Sequence, residues 1–261
     1  MAIQLTDQTG FSVILPARAS GIVSLVPSQT ELLSALGLGN RVVGVTRFCV
    51  HPPEWRKEKA IIGGTKNPDI SRIRDLEPDL IIANKEENEK QHVLALREEF
   101  PVYVSDVHDL GSACAMIDDI GELTGTQDVA SQIRAEILSG FENLPKVSTG
   151  TVLYLIWKDP FLSVGGDTFI HDILSRSGLT NVTGERIRYP EVTEDDIRRM
   201  NPDFIFLSSE PYPFKEKHIA EFRQITPKAT VMLVDGEMFS WYGSRLRHVP
   251  TYLQRLSLSK D

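Results

Sequence analysis

The sequence predicts an α/β fold in which two lobes, each built on a parallel sheet, are joined by one long helix. Three observations predict it. Short apolar runs alternate with helix-like segments along most of the chain, the pattern of strand–helix–strand crossovers. The stretch DISRIRDLEPDLIIAN, from Asp69, aligns without gaps on TEDDIRRMNPDFIFLS, from Thr193: Ile73 meets Ile197, Leu76 meets Met200, Pro78 meets Pro202, Asp79 meets Asp203 and Ile81 meets Ile205. Between the copies lies TQDVASQIRAEILSGFENL, Thr126 to Leu144, whose Val129, Ile133, Ile137, Phe141 and Leu144 recur at spacings of three and four and so share one helix face. Thr126 suits its N-cap, Asp128 the positive end of its dipole, and Pro145 stops it. Such a rod is about 28 Å long at about 1.5 Å per residue. Alone, it would equally serve as a crossover in one large domain; the repeat decides for two lobes, expected at 1–125 and 146–261 with the backbone helix at 126–145.

The remaining elements follow in order. Ile22 to Val26 reads as a strand, and Ser28 with Glu31 has capping-box spacing, so a helix is expected to start there and end at Gly37-Leu38-Gly39. Those glycines follow a helix rather than a strand, which excludes a dinucleotide fingerprint. Strands are expected at Arg41 to Val45, Asp79 to Ala83 and near Val102 to Val104, with helices from Ile70 and before Glu99. In the second half, strands are expected at Val152 to Ile156, Asp203 to Leu207 and Val231 to Val234. Helices are expected at Thr168 to Ser177, Glu194 to Met200, Lys215 to Arg223 and Leu246 to Leu256.

Composition narrows the function. At 261 residues with 41% hydrophobic content the chain can bury one large or two modest cores, and a net charge of −8 without a basic stripe argues against nucleic acid. Cys49 and Cys114 have no metal-ligand spacing, so neither a zinc site nor a disulfide framework is expected. No run approaches the roughly 20 apolar residues that span a bilayer, so membrane insertion is not expected. With Met1 as natural start the protein is expected in the cytoplasm; removal of a leader would make it periplasmic or lipid-anchored.

Ligands of parallel sheets sit beyond the carboxyl ends of the strands, and two lobes on a stiff helix would face each other across a cleft. The loops expected there carry Phe48, Phe161, Tyr189, Tyr212, Phe239 and Trp241, faces suited to a large, flat ligand. No GxSxG elbow, P-loop, HExxH or CxxC motif is present, so no catalytic residue is assigned. His51, in VHPP, is an axial or outer ligand candidate. An enzyme built on the same cleft would draw on His51, Glu210 or Glu237.

The stretches IVSLVPSQTELLSALGLGNRVVGVT, EPDLIIAN, PFLSVGGDTFIHDIL, RYPEVTEDDIRRMNPD and DGEMFSWYGSR together resemble the helical-backbone substrate-binding proteins of ABC importers, the group that carries cobalamin, haem and iron chelates. The resemblance runs from about Ile22 onward and is nearest to the cobalamin-binding branch. It implies two Rossmann-like lobes, small hinge motion and capture of a corrinoid or related metal chelate in the cleft without chemistry and without a resident cofactor. A ferric siderophore or haem is the alternative cargo. It also implies pocket aromatics at Phe48, Phe161 and Tyr189 and pocket charges at Glu237 and Arg245. Thr65 and Asn84 stand where that branch has two pocket tryptophans, while Trp241 is added. An ABC permease is the implied partner of a monomeric chain, docked through one acid per lobe; Asp195 fits the second, but Ser71 replaces the first.

Overall fold

The computed structural model describes residues 2–146 and 148–256 and is an α/β protein built on parallel sheets; residues 257–261 of the expected second lobe lie outside the described residues. Two compact units are distinguished. The first runs to Val107 and includes Gly111–Ile137 and Tyr242–Arg245; the second comprises His108–Leu110, Leu138–Trp241 and the chain from Leu246.

The first unit opens with a hairpin that the sequence reading passed over, β1 (Ile3–Thr6) and β2 (Ser12–Leu15). Asp7 holds it: its carboxylate accepts the N–H groups of Thr9, Phe11 and Val104 and pairs with Arg97. Then come β3 (Ile22–Ser24), α1 (Pro27–Ala35), β4 (Val42–Val45), α2 (Trp55–Glu58), β5 (Ala60–Ile61), α3 (Ile70–Asp75), β6 (Leu80–Asn84), α4 (Lys90–Arg97) and β7 (Val102–Ser105). The strands pair in parallel in the order β5-β4-β3-β6-β7, with Ile22 opposite Leu80 and Val23 opposite Ile81. β3 and β6 are buried throughout, as strands covered on both faces must be, and both are apolar up to their closing residues, Ser24 and Asn84. The order reverses between them, so their carboxyl ends flank a crevice.

Three expectations need correction. Ser28 and Glu31 form no capping box: Pro27 takes the first helical position, Val26 is the N-cap without a side-chain bond, and the Glu31 carboxylate is committed to Arg245. A whole helix was missed, α5 (Leu110–Thr124), which buries Ala113, Met116, Ile117, Ile120 and Leu123. The long helix stands as α6 (Gln127–Glu142), but its buried face is Ala130, Ile133, Ile137 and Phe141, leaving Val129 exposed.

The second unit contains β8 (Thr151–Trp157), β9 (Phe161–Ser163), α7 (Phe169–Arg176), β10 (Thr180–Asn181), β11 (Glu191–Val192), α8 (Glu194–Met200), β12 (Phe204–Ser208), α9 (Glu216–Ile225), β13 (Thr230–Val234), α10 (Glu237–Ser240) and α11 (Val249–Arg255). β8, β10, β12 and β13 are parallel. β9 and β11 extend this sheet through antiparallel pairs. The connection from Trp157 to Phe161 is too short for a crossover helix, so β9 must return alongside β8.

The internal repeat holds to the level of single backbone angles. Asp69 and Thr193 each cap their helix, accepting the N–H of Arg72 at 3.0 Å and of Asp196 at 3.1 Å. The matched pair just past the helix ends, Glu77 and Asn201, are left-handed at φ 46° and 43°. The Asp79 carboxylate then accepts the N–H groups of Ser20 and Gly21 at the start of β3, and Asp203 the N–H and hydroxyl of Thr151 at the start of β8. Each Pro-Asp turn thus ties its own strand to the first strand of its sheet.

Candidate functional site

In the first unit the loop after β4 is anchored from below. The Cys49 thiol lies 3.0 Å from Thr30 Oγ1 and 3.2 Å from Thr46 Oγ1, and burial pushes its pKa up, so it packs as a neutral group. That anchor leaves Phe48 on the surface, 54% exposed. Its ring passes over Gly64, where a Cβ would come within 3.2 Å of Cε2, so Gly64 provides the close approach. His51 is half-buried and joined to Pro52 by a cis peptide bond; Thr65 is half-buried.

Asn84 is not available to a ligand. It is buried, its amide donates to Ser105 O and Oγ at 3.1 and 3.0 Å, and its Oδ1 accepts the N–H groups of Glu86 and Glu87. It shapes the loop after β6 instead. Asn88, which the sequence reading did not single out, completes this frame: Oδ1 accepts the Asn84 N–H at 2.8 Å, and Nδ2 donates to Thr65 O at 2.9 Å and Leu25 O at 3.3 Å. One buried amide therefore sets the spacing of three loops at the carboxyl ends of the strands. Arg245, also in this unit, forms a fork on Glu31, with Nε–Oε2 and Nη2–Oε1 both 2.9 Å. Its guanidinium is oriented by that pair.

In the second unit, Glu210 is the hub. Its Oε1 accepts Trp241 Nε1 and Ser240 Oγ, each at 2.8 Å, and its carbonyl accepts Ser208 Oγ at 2.6 Å. Gly236 lies against this knot: a Cβ there would sit 2.5 Å from Ser208 Oγ and 2.6 Å from Glu210 Cγ. Trp241 is buried with its indole N–H satisfied. Tyr212 is half-buried and stands edge-on to Trp157 at 5.7 Å and to Phe214 at 4.8 Å. Trp157, 40% exposed at the carboxyl end of β8, went unnoticed because it closes an apolar strand and reads as core. Tyr189 is exposed with the Arg188 guanidinium 5.4 Å from its ring. Glu237 is half-buried at the start of α10.

Of the remaining predicted aromatics, one is core and one is half-buried against the core. Phe239 is wholly buried, 5.1 Å from the Tyr154 ring and 6.0 Å from Phe206, and Phe161 packs at 5.1 Å on Phe222. A three-residue strand and a four-residue helix are too short for a local pattern to decide how deeply either ring is buried. Asp195 lies on α8 with its side chain 83% exposed, 2.7 Å from Arg198. Among the described residues no group of three His, Cys, Asp or Glu could hold a metal ion, and no helix is long and apolar enough to cross a membrane.

Known proteins share both sequence and fold with this chain. It is 27% identical over 215 residues to an uncharacterized ABC transporter substrate-binding lipoprotein, YvrC, of Bacillus subtilis, covering 78% of this chain and 68% of that one. It is 25% identical to the vitamin B12-binding protein of Vibrio campbellii, over 73% of this chain and 71% of the relative. The fold superposes with a TM-score of 0.78 on the periplasmic vitamin B12 binding protein BtuF of Vibrio cholerae, at 22% identity, over 94% of this chain and 100% of that one. The sequence profile described as Periplasmic binding protein matches residues 22–226, well over half of the chain, which therefore belongs to that family.

Proposed function

We propose that this protein binds a corrinoid of the cobalamin type, or a closely related tetrapyrrole or metal chelate, without chemical turnover, and delivers it to an ABC importer. The observation that carries the reading is the relationship to the vitamin B12-binding protein of Vibrio campbellii across most of both chains. Exposed or half-exposed rings at Phe48 in the first unit and at Trp157, Tyr189 and Tyr212 in the second support it, since each offers a face to a broad ring system. Thr65, His51, Glu210 and Glu237 supply the polar contacts of the proposed site. Relatives named as a lipoprotein and as periplasmic favour work outside the cytoplasm over the cytoplasmic expectation. Asp195 is the proposed contact to a permease, and Ser71, its counterpart in the repeat, brings no charge.

A tryptophan-fluorescence titration with cobalamin, haem and a ferric chelate tests the proposal. Saturable one-to-one quenching by cobalamin, weakened about tenfold by Tyr189→Ala or Trp157→Ala, is the expected result. Saturation by haem or the ferric chelate alone would reassign the cargo, and flat curves for all three would overturn the reading.

A further inference from the structure

One feature of the first unit adjoins the proposed corrinoid site without sharing a residue with it. A cavity of about 370 Å³ opens beside α3, lined by Arg47, Ile61, Gly63, Asn67, Pro68, Asp69 and Arg72. Its frame is fixed by the backbone: Arg47 N–H donates to Gly63 O at 2.9 Å, Gly64 N–H to Asn67 O at 3.0 Å, and Asp69 N–H to Ile62 O at 2.9 Å, while Gly63 also bridges Pro68. Among the described residues neither the Arg47 nor the Arg72 guanidinium is hydrogen-bonded or ion-paired. Arg74, two residues on, is held by Glu99 at 2.6 Å. The Asp69 carboxylate is engaged as the cap of α3, so the lining carries a net positive charge.

We propose that this cavity is an oxyanion site for a phosphate monoester, whose phosphate is held by Arg47 and Arg72 and whose organic group rests on Ile61 and Pro68. Paired guanidiniums suit a phosphate because their donors match its oxygens and charge-assisted hydrogen bonds are the strong ones. The cavity is a groove open to solvent, with Arg47 and Arg72 exposed along it, and at about 370 Å³ it has room for more than a bare phosphate. The internal repeat argues in the same direction. Matched to Ile70, Ser71 and Arg72, the second unit has Glu194, Asp195 and Asp196, which pair with Arg198 and Arg199 on the same helix. The two copies have kept backbone and caps while reversing charge at this turn.

Calorimetry and ³¹P NMR with inorganic phosphate and phenyl phosphate, with sulfate as a second oxyanion, test the proposal. One-to-one binding is expected, tighter for phenyl phosphate than for inorganic phosphate and weakened about tenfold or more by R47Q/R72Q. Phosphate binding should weaken as pH falls through about 6, where the dianion gains a proton, while sulfate binding stays level. Circular dichroism checks the variant's fold. Should it not fold, Arg72→Gln alone and the pH comparison on the native chain decide. No saturation at millimolar ligand, or equal affinity in native and variant proteins, would overturn the site; equal affinity for the two phosphates would overturn the monoester assignment.

Discussion

The pair of Glu31 and Arg245 shows how one contact changes the reading of two residues. Glu31 looked like half of a helix cap and Arg245 like a ligand charge, and each is instead the other's partner across 214 positions of chain. Removing one member of a largely buried pair strands the other, at a cost of about 3–5 kcal/mol, whereas replacing both with apolar side chains of similar length is close to neutral. Arg245→Met is therefore expected to lose about that amount in urea unfolding, and Glu31→Met/Arg245→Met to regain most of it. Equal losses in the single and double variants would show that Glu31 is not what the guanidinium stabilises. The pair was invisible in sequence because nothing local links an acid on the first helix to a base near the end of the chain.

The helix–turn–strand unit used twice is the element whose sequence said most. Its gapless alignment showed two copies, and the copies share caps, left-handed residues at Glu77 and Asn201, and aspartates that clamp a neighbouring strand. Charged acceptors of backbone N–H groups contribute about 1.5–3 kcal/mol. Asp79→Ala, which removes the partner of the Ser20 and Gly21 N–H groups, is expected to cost about 2 kcal/mol and to release amide protection at the start of β3. Unchanged hydrogen exchange at those two amides would count against the clamp. β5, β9, β10, β11, α2 and α10 were unreadable: two to four residues show no period, and unlike the equally short β3, β4 and β7 these elements are not marked by a run of valine and isoleucine between helices.

At the scale of the whole molecule, pH tests how the second unit is held. His218 is buried at the start of α9, where its Nδ1 accepts the N–H of Lys215 at 2.8 Å. Burial, with Lys158 and Lys217 nearby, pushes its pKa below the ordinary value near 6.5. Protons then bind the unfolded chain first: this contribution is full above about pH 6.5 and is lost as pH falls below it. The native unfolding midpoint is expected to fall between about pH 7 and pH 5, and more steeply than that of His218→Asn, which keeps an acceptor but cannot titrate; parallel curves would exclude His218 as a source. The sequence by itself determined the α/β class, the repeat and the long helix, since these rest on periodicity and spacing that any window of the chain displays. It also marked Phe48, Tyr189 and Tyr212, the aromatics of polar loops that are exposed or half-buried here. Only the tertiary structure decided that Phe239 is core and Phe161 packs half-buried on Phe222, that Asn84 is spent on its own loop, that Trp157 is exposed, and that Arg47 and Arg72 line one groove. Each of those outcomes depends on which residues distant in sequence occupy the space around a side chain, and a local pattern carries no record of that.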